Sequence, residues 1–145
     1  MMGSRVFKRA LAGKSAQVVG DPDRLHTFTF IDDFGKALVT LGERDEALCR
    51  AWHVPSLTAM TTHKFVEAVY RTLGKPVKMS KAPRFAITVA GLFDANAKEL
   101  KEMLYQFEKD FVMDSSRFEK TFGVRATPLD EAIRATLDWY RRTNS

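Results

Sequence analysis

Residues 28–38 read Phe28-Thr29-Phe30-Ile31-Asp32-Asp33-Phe34-Gly35-Lys36-Ala37-Leu38, and the period of the apolar side chains changes in the middle of them. Thr27 to Ile31 is a β-branched and aromatic run, the composition of a strand. From Phe34 onward, Phe34, Ala37, Leu38 and Leu41 fall at i, i+3, i+4 and i+7, one face of a helix ending near Gly42. Asp32 and Asp33 stand at the junction, where a carboxylate can accept the free N–H groups of a first helical turn, so Asp33 reads as a cap and not as a catalyst. A strand that passes at once into a helix is a unit of mixed α and β architecture.

Outward from that junction the same alternation continues. Upstream, Val6, Phe7, Ala10 and Leu11 recur at helical spacing, and Gln17-Val18-Val19 reads as a strand before the turn-forming Gly20-Asp21-Pro22-Asp23. Downstream, Ala51-Trp52-His53-Val54 reads as a short buried strand stopped by Pro55. Thr61 or Thr62 opens a helix with Phe65, Val66, Val69, Tyr70 and Leu73 on one face and Gly74 beyond its end. Val77-Lys78-Met79 is a further strand. Pro83 fits the first turn of an apolar helix through Leu92, and a second helix runs from about Ala95 to Phe107. Phe111-Val112-Met113 reads as a strand. Asp114 and Ser115 precede a short helix bearing Phe118 and Phe122 and closed by Gly123. In Thr127-Pro128-Leu129-Asp130 an N-cap, a first-turn proline and an acid three residues after the cap begin a last helix. Its stripe is Leu129, Ala132, Ile133, Thr136, Leu137 and Tyr140. Residues 1–145 are thus expected to form a single α/β domain, mostly helical, with too few strands for a complete doubly wound sheet.

Composition narrows the function classes. With 45% hydrophobic and 28% charged residues the chain is neither disordered, collagen-like nor a disulfide scaffold. Twenty-three Lys and Arg against eighteen Asp and Glu give +5, a modest preference for anionic ligands or surfaces. The lone Cys49 cannot form an internal disulfide, and its Ala, Leu and Trp surroundings predict a small buried thiol. The longest apolar run, Phe85 to Phe93, is about half of the ~20 residues that a spanning helix needs, so no membrane segment is expected and the cytoplasm is the natural compartment. The N-terminal basic residues lack the apolar core of a secretory signal and read as part of a packed helix. His26, His53 and His63 begin no metal-ligand motif, and no glycine-rich phosphate loop occurs. Lys75, Lys78, Lys81 and Arg84 form a basic stretch uninterrupted by acids. It can face an anionic partner, but without interleaved aromatics it makes nucleic acid an unlikely one.

Taken in order, these landmarks resemble the C-terminal half of an extended short-chain dehydrogenase/reductase, the NAD-dependent epimerase/dehydratase family. Leu11-Ala12-Gly13-Lys14 before a strand and the stretch from Phe28 to Leu38 are similar to the family's strand, V-x-D and helix. Ala51 to Pro55 resembles its y-N-v-g strand, and Thr62 to Gly74 its s-x-x-e-l … l-G helix. Met113 to Arg117 resembles x-D-x-s-k, and Phe122-Gly123 through Pro128 to Tyr140 resembles l-G … p … w-y.

The resemblance implies the substrate-binding portion of a two-domain enzyme whose Rossmann nucleotide-binding half is absent. NAD or NADP belongs to the complete member, and none is expected on this chain alone. It implies a small-molecule substrate at Gln17, Val18 and Val19, which edge the family's pocket, and at Arg24 and His26. His26 stands where nucleotide-sugar members carry an arginine before the V-x-D strand, and Arg24 lies two residues earlier. No catalytic, cofactor-binding or metal residue is implied here. Tyr105-Gln106-Phe107-Glu108-Lys109 matches the family's Tyr-x-x-x-Lys by count but lies after the substrate-domain landmarks, so both residues are read as surface positions. The chain is expected to be inactive alone, acting on a sugar-like or small carbonyl or alcohol substrate only with its Rossmann half. Its expected partners are that half or a second copy of itself. The alternative is a stand-alone binding module using the basic 75–84 segment.

Overall fold

The computed structural model describes residues 3–81 and 104–143. A π-helical segment, Gly3–Lys8, passes into α1 (Arg9–Leu11), with Val6, Phe7 and Ala10 turned inward as their spacing predicts. After a reversal at Gly13 the chain enters β1 (Ala16–Val18), which buries Ala16 and Val18 and exposes Gln17. β2 (Leu25–His26) follows, and then α2 (Ile31–Gly42). A single 3-10 turn, Asp45–Ala47, leads into an extended stretch that ends at β3 (Met60–Thr61). α3 (Thr62–Thr72) is capped by Thr61, whose Oγ1 accepts the Lys64 N–H at 3.2 Å. β4 (Met79–Lys81) pairs in parallel with β1, Ala16 opposite Met79 and Val18 opposite Lys81, and α3 lies on the crossover that a parallel pair needs. β2 pairs antiparallel with β3. Beyond residue 103 come a 3-10 turn (Leu104–Phe107), α4 (Ser116–Phe122) and α5 (Leu129–Thr143).

The main core lies where the N-terminal helix, β1, α3 and α5 meet. Phe65, Val66, Val69 and Tyr70 of α3 face Val6, Phe7, Ala10 and Val18, and Ile133 and Leu137 of α5 close the other side. Phe28 stacks on Phe65 with ring centroids 4.4 Å apart, and Phe7 stacks on Tyr140. Tyr70 carries its hydroxyl into this core because two backbone groups satisfy it there. Its Oη donates to the Lys14 carbonyl at 2.6 Å and accepts the Ala16 N–H at 3.0 Å, which fixes the entry to β1. A smaller aromatic cluster, Trp52, Phe118 and Phe122, is covered by the Arg117 guanidinium 4.6 Å over the Trp52 ring. The Asp114 carboxyl, which accepts the Ser116 N–H at 2.8 Å just ahead of α4, is held below its usual range by that bond.

Several elements differ from expectation, each for a physical reason. β1 lies one residue earlier than 17–19 and β4 two later than 77–79. The strand expected over 27–31 is confined to Leu25–His26, because only those residues meet β3. Phe111-Val112-Met113 contributes one bridge, Phe111 to His26. Ala51 to Val54 is not a strand among the described residues: no neighbouring strand reaches it, and backbone without a ladder partner is not a strand. Of the face expected to be buried on α2, only Ala37 is fully inside and Leu41 half so, whereas Phe34 is 42% and Leu38 53% exposed. Ile31, at 72%, extends that exposed stripe by one turn. Cys49 is exposed and not buried as expected, in a turn where its φ is +57°. The helix from Pro83 to Leu92, and the second helix as far as residue 103, lie outside the described residues.

Candidate functional site

The segment from Asp21 to Thr27, which carries two of the residues expected to edge a pocket, Arg24 and His26, is held by a strap, residues 107–113. The Asp21 N–H donates to the Phe107 carbonyl at 2.8 Å, and the Phe111 N–H donates to the Leu25 carbonyl at 2.8 Å. Thr27 returns its N–H to the Phe111 carbonyl at 2.9 Å and accepts the Met113 N–H on Oγ1 at 2.9 Å. Asp110 accepts the Leu25 N–H on Oδ1 at 3.0 Å. Gly20 makes the approach possible. It is buried at φ +78°, and a Cβ there would run into the Phe107 carbonyl and Cβ, so only glycine meets both the backbone angle and the closeness.

Each of the five expected site residues has a definite place. Gln17 projects to solvent from β1, Val18 is part of the core and can offer a ligand only its backbone, and Val19 is half-buried beside Gly20. Arg24 is exposed and pairs with Asp21, Nε to Oδ2 at 3.2 Å. His26 is half-buried between Met60 on β3 and Phe111. Of the five, His26 alone bridges to the strap, at Phe111, while Arg24 lies in the turn ahead of β2 and Gln17 lies on β1, which belongs to the other sheet. Sequence reading missed Asp110, Phe107 and Phe111, which belong to the strap. Their contacts span about 85 residues of chain, as between Leu25 and Asp110, and no local pattern carries such a pairing.

Burial lowers the pKa of His26 below 6.5, and the Asp110 carboxylate opposes the shift only in part. The unfolded chain therefore takes up this proton more readily than the folded one. The resulting stability is fully present above the unfolded value and is lost as the pH falls through the folded one. The melting temperature of the wild type should accordingly fall more between pH 7 and pH 5 than that of His26→Asn. Parallel curves from differential scanning calorimetry would show that His26 is not the titrating group.

Two other sequence features take structural roles. Lys75, the first of the basic stretch, donates from Nζ to the Ala10 carbonyl at 3.2 Å and the Leu11 carbonyl at 2.9 Å, placing a cation on the last carbonyls of α1. Lys78 and Lys81 are the exposed remainder of that stretch among the described residues. Asp33 caps, but not its own helix. It is buried at 2% exposure and accepts from the Thr127 N–H at 2.7 Å and the Thr127 hydroxyl at 2.6 Å, so it holds the segment that leads into α5. Thr127 gives its hydroxyl to that carboxylate, the stronger acceptor. Tyr105 is exposed in its 3-10 turn, and Lys109 is exposed beyond it. Among the described residues no three His, Cys, Asp or Glu side chains gather to hold a metal ion. No described helix is long and apolar enough to cross a membrane.

An apolar groove of about 1190 Å³ lies on the other side of Phe28, between the N-terminal helix and α5. Phe7, Phe65, Leu57 and Ile133 line it, and Trp139 stands at its rim.

No protein-family model matches the chain, and no curated protein sequence does. Solved structures do. The UDP-glucuronic acid 4-epimerase from Bacillus cereus, in complex with NAD, superposes over 100% of this chain with a TM-score of 0.71 at 15% identity, and the match covers 40% of that protein. The dTDP-glucose 4,6-dehydratase from Bacillus anthracis, also with NAD, matches over 98% of this chain and 39% of its own, with a TM-score of 0.66 at 13% identity. A GalE-like L-threonine dehydrogenase from Cupriavidus necator matches over 93% and 39%, with a TM-score of 0.66 at 15% identity. The fold is that of the C-terminal part of extended short-chain dehydrogenases/reductases. The chain spans about two fifths of the length of the structures it matches.

Proposed function

We propose that this chain is the substrate-binding portion of an NAD(P)-dependent epimerase, dehydratase or reductase acting on a sugar-like or small carbonyl or alcohol substrate. It is inactive without a nucleotide-binding half, and it resides in the cytoplasm. The observation that carries this reading is the likeness over the whole of this chain to two fifths of several such enzymes. The surface supports it. α2 presents Ile31, Phe34 and Leu38 to solvent in one stripe, and the extended Ala51–Val54 follows with no strand beside it. A helix with an apolar outer face, followed by an unpaired extended segment, is a crossover without its sheet.

The described residues do not fit a dinucleotide. Among them β1 runs through its turn into β2 and not into a helix, so no helix N-terminus there stands behind a glycine-rich turn to receive a pyrophosphate. The cofactor would be held by the other half, and no chemical step is assigned to this chain's side chains.

Light scattering and NADH fluorescence test the reading together. The isolated chain should self-associate with rising concentration and leave NADH fluorescence unchanged. The double variant Phe34→Glu, Leu38→Glu should be monomeric with its melting temperature kept, since both side chains already face water. A monodisperse wild-type monomer with a sharp, high melting transition, or saturable NADH binding, would overturn it.

A further inference from the structure

The edge formed by the 19–27 segment and the strap is crowded with hydrogen bonds, and what they leave over defines the ligand it suits. Anion recognition by backbone needs several N–H groups pointing outward together. Here the Asp21 N–H goes to the Phe107 carbonyl, the Asp23 N–H to Asp21 Oδ1 at 3.2 Å, the Leu25 N–H to Asp110 and the Thr27 N–H to the Phe111 carbonyl, while residue 22 is proline. Among the described residues side chains do not make up the difference. Asp21 neutralises Arg24 at 3.2 Å, and Asp23 faces His63, Oδ1 to Nδ1 at 3.6 Å. Among the described residues the acids of this edge and strap are Asp21, Asp23, Glu108 and Asp110, against Arg24 and Lys109, and burial holds the pKa of His26 below 6.5. A pyrophosphate brought here would meet carboxylates, and like charges in contact repel.

The same inventory suits hydroxyl groups. Asp110 uses Oδ1 for the Leu25 N–H, which leaves Oδ2 to accept from an alcohol. A neutral imidazole both donates and accepts, as a hydroxyl does. Phe111, 53% exposed beside His26, supplies an apolar ring face for a carbon skeleton.

We propose that the ligand of this edge is a neutral, hydroxyl-bearing molecule without phosphate, held by Asp110, His26 and Phe111, and not a nucleoside diphosphate. This rests on the substrate-binding reading above and goes further by naming the ligand class.

The full 145-residue chain, labelled with 15N, tests it by titration with methyl glucoside and, separately, uridine diphosphate, each to about 10 mM, a range that reaches millimolar affinities. Methyl glucoside should shift the amides of Leu25, His26 and Phe111 saturably, while uridine diphosphate should not. Asp21→Asn, which releases Arg24 and keeps the Oδ1 acceptor for the Asp23 N–H, should tighten uridine diphosphate binding about tenfold or more, an added attraction of ~1.4 kcal/mol. Saturable binding of uridine diphosphate at the wild-type edge would overturn the ligand class while leaving the substrate site in place. Shifts from neither ligand at these amides would overturn the site itself, and the proposal with it.

Discussion

Asp33→Ala should lower the unfolding free energy by about 3–4 kcal/mol, since a hydrogen bond to an ionised group contributes roughly 1.5–3 kcal/mol and this carboxylate accepts two. Both come from Thr127, at 2.7 and 2.6 Å, and the carboxylate lies almost wholly out of water. Truncation leaves the Thr127 N–H and hydroxyl without their acceptor beside the first turn of α5, where the positive end of the helix dipole also favours a negative charge. Against a total of about 5–15 kcal/mol for an ordinary domain, the loss is a large share. Urea unfolding followed by circular dichroism reads it directly, with the midpoint falling and the slope unchanged. Asp33→Asn separates the contributions. It keeps one acceptor oxygen and turns an amide N–H₂ toward a donor, so its midpoint should lie between those of Ala and wild type. If Asn and Ala were equally mild, Asp33 would be a surface cap in its own helix, as sequence reading held.

Asp33 shows where local reading reaches its limit. The strand, turn and helix signals between Val6 and Leu41 arise from side-chain periods within a few residues, and the N-terminal helix, β1, α2, α3 and α5 appear near the positions those periods predict. The carboxylate was recognised as a helix cap from its chemistry, but the helix it serves lies 94 residues away. Lys75 is similar. A lysine in a basic stretch reads as a solvated charge, and nothing within the stretch reveals that the end of α1 folds back to offer the Ala10 and Leu11 carbonyls.

The apolar face of α2 misled in a more instructive way. Phe34, Leu38 and Leu41 have the spacing of a buried stripe, and spacing reports that a face is apolar, not what covers it. In this chain only Ala37 and, in part, Leu41 find cover. The same holds for Ala51 to Val54, whose composition suits a strand and whose backbone pairs with no strand among the described residues. Local pattern fixes which face is apolar, and only tertiary contacts fix whether it is covered. The candidate site divides likewise: Gln17, Val18, Val19, Arg24 and His26 are named from ordered landmarks, of which His26 meets Phe111, whereas Asp110 and Phe111 required the fold.

Gly20→Ala should be the most damaging single change at that edge, costing about 3 kcal/mol from two separable causes. One is the backbone: an L-residue in the left-handed region costs roughly 1–2 kcal/mol. The other is contact, because the new methyl would enter the Phe107 carbonyl and Cβ, and forcing such overlap costs about 1–3 kcal/mol. Gly13 supplies the control. Its φ of +69° is nearly the same, and nothing lies within 4 Å of where its Cβ would stand, so Gly13→Ala carries the first cost without the second. Paired urea titrations should therefore place Gly13→Ala about 1 kcal/mol below wild type and Gly20→Ala at least about 1 kcal/mol lower again. The amides of Asp110 and Phe111 should move in the Gly20 variant alone, since displacing Phe107 draws the strap off β2. Equal destabilisation of the two variants with an undisturbed strap would mean that the close approach of Gly20 to Phe107 does not hold this edge together. The approach of Asp110 to Leu25 and His26 would then need another cause.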